Sequence, residues 1–102
     1  MRFLIEWEWS ELRSGEEQQN VLALFATWKP PIELSDWSGF ADGSGGCAIA
    51  ETNDPNELAK VTAPWAPWFR FKVRAILPIE QTAAITQEAI NFRKSVGYHP
   101  DR

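Results

Sequence analysis

Arg70, Lys72 and Arg74 stand two residues apart in the run Trp68–Leu77, whose alternate positions Phe69, Phe71, Val73, Ala75 and Leu77 are apolar. Side chains alternate between faces along a strand, so the three cations form one row. Such a row can hold an anion, with arginine offering a fork of N–H donors to a carboxylate or phosphate. Glu6 and Glu8 form a row of opposite sign in Arg2–Trp9, where Phe3, Ile5, Trp7 and Trp9 are apolar. If the two strands are neighbours, the carboxylates neutralise the cations. The ions then form a ladder that fixes register, each pair contributing roughly 0.2–1 kcal/mol. Arg70, Lys72, Arg74, Glu6 and Glu8 are therefore the candidate ligand-binding residues, and the two glutamates favour the ladder.

The remaining chemistry is thin. Asp42-Gly43-Ser44-Gly45-Gly46 can offer backbone N–H groups to a phosphate, but phosphate loops lead into a helix and this one precedes a strand-like run. A hairpin turn accounts for it. Cys47 lies among small residues and reads as a packed thiol, and His99 is alone near the C-terminus. A Ser–His or Cys–His pair would need that tail to fold back. No His/Asp/Glu cluster has metal-ligand spacing. The residues thus point to no catalytic group, no metal and no cofactor, and lean away from an enzyme.

Six tryptophans are many for 102 residues. Trp7, Trp28 and Trp65 fall on apolar stripes and read as core. Trp9, Trp37 and Trp68 are less clearly inward, and Pro64-Trp65-Ala66-Pro67-Trp68-Phe69 is stiff and aromatic. Tryptophan anchors interfaces where one edge is dry and the other wet. Trp9, Trp37, Trp65 and Trp68 are the candidate interface residues.

A chain of this length is one domain, set at residues 1–96 with a tail over 97–102. The net charge of −4 disfavours nucleic acid, whose phosphates call for a basic surface. One cysteine rules out an internal disulfide and fits a reducing compartment. Met1–Leu12 carries Glu6, Glu8 and Glu11 and is no secretory signal. No apolar run approaches the roughly 20 residues of a membrane helix. The expectation is a soluble cytoplasmic protein with neither a membrane nor a nucleic acid as partner.

The elements that must position these residues follow from periodicity. Arg2–Trp9 is the first strand. Glu16–Trp28 carries Val21, Leu22, Leu24, Phe25 and Trp28 on one helical stripe and stops at Pro30-Pro31. Ile32–Asp42, centred on Trp37, is a weaker strand. Gly46–Glu51 is a strand of small residues, so something bulky must pack over it. Asp54-Pro55 opens a short helix with Leu58, Val61 and Trp65 inward, and Glu57 suggests a capping box. Trp68–Leu77 is the fourth strand, and Glu80–Val96 a last helix with Ile85, Ala89, Phe92 and Val96 on one side. This is the split βαββαβ order of a ferredoxin-like α+β fold with an antiparallel sheet, plus a C-terminal helix. Its crossovers put the fourth strand beside the first. RNA-recognition domains share the order but stack bases on aromatics of the open face, where this chain carries its charges.

Phe3-Leu4-Ile5-Glu6-Trp7, the Trp37 strand, Asp42-Gly43-Ser44-Gly45-Gly46, Glu51-Thr52-Asn53-Asp54-Pro55 and Phe69–Pro78 together resemble a small, cyanobacteria-rich bacterial family of unknown function. That family is similar in topology to the dimeric alpha/beta-barrel proteins. Many relatives place a His after the strand tryptophan, where this chain has Ser38. The resemblance implies a homodimer in which two sheets turn their helix-free faces toward each other. The resulting expectation is a non-catalytic homodimeric binding protein engaging a protein partner or a small anionic ligand. The alternative is a small cofactor-free enzyme working between the two sheets.

Overall fold

The structure is a computed structural model and describes residues 1–98. The elements run β1 (Arg2–Trp9), α1 (Gly15–Thr27), β2 (Leu34–Gly39), β3 (Gly45–Glu51), α2 (Pro55–Thr62), a 3-10 turn (Ala63–Trp65), β4 (Phe69–Ile76) and α3 (Ile79–Ser95). The four strands form one antiparallel sheet in the order β2-β3-β1-β4. The ferredoxin-like topology and the C-terminal helix match the arrangement expected from sequence.

The strands are ruled by parity. Ile5 pairs with Ala48 on one side and Val73 on the other, and Glu6 with Cys47 and Lys72. Odd positions of β1 therefore share a face with Ala48 and Val73, while even positions share a face with Cys47 and Lys72. The odd face carries the core: Ile5, Ala50 and Val61 are buried together, with Trp7, Trp28, Leu34, Leu58 and Phe71 packed around them.

Trp7 explains the small residues of β3. It stands opposite Gly46, and a Cβ on Gly46 would lie 2.6 Å from Trp7 Cζ2. A Cβ on Gly45 would strike the Trp7 carbonyl. The bulky cover expected over this strand is the Trp7 indole.

Strand β2 is shorter than the expected Ile32–Asp42. Its pairing with β3 slips between Ser35 and Ser38, and Asp36 takes φ 53° inside that slip. The extra residue is a bulge, and Asp tolerates the left-handed region better than most residues. The bulge has a consequence for the site: it brings Trp37 to the odd face, where its ring meets Trp7 at 5.9 Å.

Helix starts obey local chemistry. Ser14 caps α1 by accepting from the Glu17 N–H at 3.1 Å. Asp54 caps α2 by accepting from Asn56 N–H at 2.9 Å, with Pro55 in the first turn. The Asp54 N–H donates to Thr52 Oγ1 at 3.0 Å, whereas Glu57 reaches Lys60 at 3.4 Å, so the capping box suggested by Glu57 does not close.

Two helices depart from the sequence expectation. In α1 only Val21 is buried, while Leu22 is 60% exposed and Leu24 and Phe25 are each 44% exposed. The stripe points at the sheet but does not press onto it. In α3 no residue is buried, and Ile85, Phe92 and Val96 of the expected stripe are exposed. The molecule measures 60 × 30 × 20 Å with a radius of gyration of 18.8 Å, against about 13 Å for a compact chain of 100 residues. Helix α3 leaves β4 through Pro78 and projects as an arm.

Candidate functional site

The even face of the sheet holds the ion rows. Arg74 Nη1 lies 3.5 Å from Glu6 Oε1, and Arg70 Nη2 lies 3.9 Å from Glu8 Oε1. Lys72 stands opposite Glu6 in register but makes no ion pair among the described residues. Both arginine side chains are well exposed. Pairs of this kind are screened by water and salt and contribute little to stability. The five candidate ligand residues thus share one face, with each arginine already holding a carboxylate. Cys47 is half-buried on the same face.

The odd face is different in kind. Trp37, Phe25, Trp65 and Trp28 form a chain of edge-on and tilted rings, with centroids 5.6 Å apart for Phe25–Trp37, 5.9 Å for Phe25–Trp65 and 5.3 Å for Trp28–Trp65. Spacings in this range are favourable for aromatic pairs. Behind them, between α1 and the sheet, lies a cavity of about 240 Å³. Its floor is Ile5, Ala48 and Trp7, and its roof is Val21 and Phe25 of α1. The gap exists because α1 is held off the sheet by large rings while β3 beneath it carries only small side chains.

The four candidate interface tryptophans divide. Trp37 is 43% exposed at the cavity edge. Trp65 is buried and faces the cavity. Trp9 is half-buried, tilted against Phe69 with centroids 4.4 Å apart, and also lines the cavity. Trp68 is half-buried and leans on Trp65 at 6.3 Å. Three of the four therefore converge on a single hollow.

The segment that carries Trp65 and Trp68 is tied down from the β1–α1 turn. Ser10 donates to the Trp68 carbonyl from both its N–H (2.9 Å) and its Oγ (3.0 Å). Arg13 donates to the Pro67 carbonyl at 3.1 Å and to Ser10 Oγ at 3.3 Å, and pairs with Glu11 and Glu17 at 3.3 and 3.2 Å. Arg13 is thus a clamp between two loops, unlike the arginines of the sheet.

The loop Asp42–Gly46 is a hairpin turn. The Gly43 N–H donates to the Phe40 carbonyl, the Phe40 N–H to the Gly45 carbonyl, and the Ser44 N–H to Asp42 Oδ1 at 2.9 Å. Gly43 takes φ 76° to close it. Hydrogen bonds from Ser44 hold the Asp42 carboxyl below its ordinary range. With these donors engaged inside the turn, no cradle faces outward from them. His99 lies outside the described residues. Among the described residues no group of three His, Cys, Asp or Glu side chains is placed to hold a metal ion. None of the described helices is long and apolar enough to cross a membrane.

A family model described as a domain of unknown function, DUF3303, matches residues 1–90. This chain belongs to the DUF3303 family. No curated protein and no solved structure matches it significantly. The DUF3303 match takes in the whole sheet, the aromatic hollow and most of α3.

In this DUF3303 chain, sequence parity assigns the ion rows to one face correctly. It does not reveal the cavity, because a hydrophobic stripe looks the same whether or not it touches what it faces. One signal was available: six tryptophans in a chain whose strand Gly45–Glu51 is built mostly of Gly, Cys and Ala. Large residues concentrated on one wall and small ones on the other leave room unless the helix sinks.

Proposed function

We propose that this chain is a homodimeric binding protein without a catalytic constellation of its own, and that α3 is the element joining two copies. The observation that carries the reading is the arm. A lone helix of this length is marginal in water and draws its stability from packing. Here Ile79, Ile85, Phe92 and Val96 are between 55% and 75% exposed. On the body, the C-terminal half of the odd face of β4 is also uncovered, with Val73 40% exposed, Ala75 exposed and the following Leu77 52% exposed. One chain therefore offers an apolar helix and a bare apolar strand end, and a two-fold axis satisfies both by exchange.

The area the arms offer meets the lower bound for a specific pair. Seventeen residues of helix span about 25 Å, and with a width of about 10 Å one face covers about 250 Å². Two arms, counted on both partners, reach about 1,000 Å², the threshold for a specific interface. This differs from the face-to-face sheet dimer implied by the family resemblance, since it uses the apolar sides of β4 and α3. The ion rows are read as a register ladder, because Glu6 and Glu8 already sit on Arg74 and Arg70. The cavity favours binding over catalysis: its walls are aliphatic, aromatic and glycine residues, with no acid, base or nucleophile among them.

Light scattering tests the reading. The expected mass is twice the 11.6 kDa of one chain, falling to one chain in the double variant Ile85→Glu, Phe92→Glu. A strict monomer at concentrations of ~0.5 mM, well above a micromolar dissociation constant, contradicts it.

A further inference from the structure

We infer that the hollow between α1 and the sheet is a binding site for a small, neutral, flat aromatic molecule of one or two rings. Each part of that description comes from the walls. The volume is about 240 Å³, half as large again as the ~150 Å³ apolar cavity that takes up benzene in a well-studied host. The lining presents rings and methyl groups. A charged group brought inside would lose its hydration with nothing to replace it, so the occupant is neutral. Rings set edge-on and tilted at 5.3 to 5.9 Å leave faces and edges suited to another aromatic ring. The exposed wall residues Leu22, Phe25, Trp37 and Gly43 mark the mouth.

The room is built in rather than accidental. Gly45 cannot carry a Cβ without striking the Trp7 backbone, and Gly46 cannot without striking the Trp7 ring. Ala48, almost fully buried, supplies only a methyl to the floor. From the other side, the bulge at Asp36 turns Trp37 toward Trp7 and Phe25. An occupant that binds the folded chain and not the unfolded one stabilises it by mass action. The site lies within one chain and stands whether or not the arms exchange.

Indole and naphthalene are suitable probes, with indole-3-carboxylate and 2-naphthoate as charged counterparts. Calorimetric titration is expected to give one molecule per chain, with the neutral probes raising the melting temperature. The carboxylates are expected to bind at least about tenfold more weakly, as desolvation of the charge requires. Ala48→Leu fills the floor and Val21→Phe the roof. Each is expected to lose at least about tenfold in indole affinity while the unliganded protein melts no earlier. Should one variant fail to fold, the other and the carboxylate comparison still decide. Absence of saturable binding up to the solubility of indole overturns the inference. So does unchanged affinity in a folded, filled variant, or equal affinity for acid and neutral probes.

Discussion

The two faces of this sheet are made from the same strands and obey the same parity, yet they do different work. On the even face, charges meet in water at 3.5 and 3.9 Å and are replaceable. On the odd face, the rings of Trp7, Trp28, Trp37 and Trp65 fix one another and the backbone beneath them. The contrast teaches that a regular pattern of charge is weak evidence for a site, while a mismatch of side-chain size across a core is strong evidence for one. Substitutions on the two faces should therefore differ several-fold in cost.

The largest effect is expected at Gly45. Gly45→Ala drives a Cβ into the Trp7 carbonyl, so strand pairing must give way, costing more than about 4 kcal/mol or abolishing folding. Denaturant titration reads this, and a loss below about 1 kcal/mol would show that the two central strands yield at that point. Next is Trp65→Ala, which removes a buried ring at a cost of about 3–5 kcal/mol. A markedly smaller loss would mean that the neighbouring rings collapse into the space.

Arginines sharpen the comparison because both kinds occur here. Arg13, with a side chain 15% exposed, bridges two loops through carbonyl, hydroxyl and carboxylate partners. Arg13→Ala is expected to cost about 1–3 kcal/mol, read by thermal or denaturant unfolding. The smallest effect belongs to the sheet. A double-mutant cycle on Glu6→Gln and Arg74→Gln should give a coupling below about 1 kcal/mol, vanishing near 1 M salt. Coupling that survives salt would return the ion rows to consideration as an organised site.

How much of this was legible from residues alone depends on the range of the signal. The parity of Arg2–Trp9 and Trp68–Leu77 gave both strands and their shared face, because alternation is a local property. Asp54-Pro55 marked the α2 start for the same reason, and Pro78 the end of β4. The bulge at Asp36 was not legible, since only pairing with β3 reveals the extra residue. Nor was the stand-off of α1, which depends on how Phe25, Trp28 and Trp65 stack across elements. The apolar stripe of α3 was visible, but its periodicity says only that the face needs a partner, not in which chain. Trp65 reads from sequence both as a core residue and as an interface candidate; the structure shows a buried ring on a cavity wall.

Hydrogen exchange of the α3 amides across a dilution series tests the arm most directly. The account predicts protection over Ile79–Ser95 that rises with protein concentration, while β1 and β3 stay protected throughout. Exchange in α3 that is independent of concentration, whether fast or slow, would contradict it.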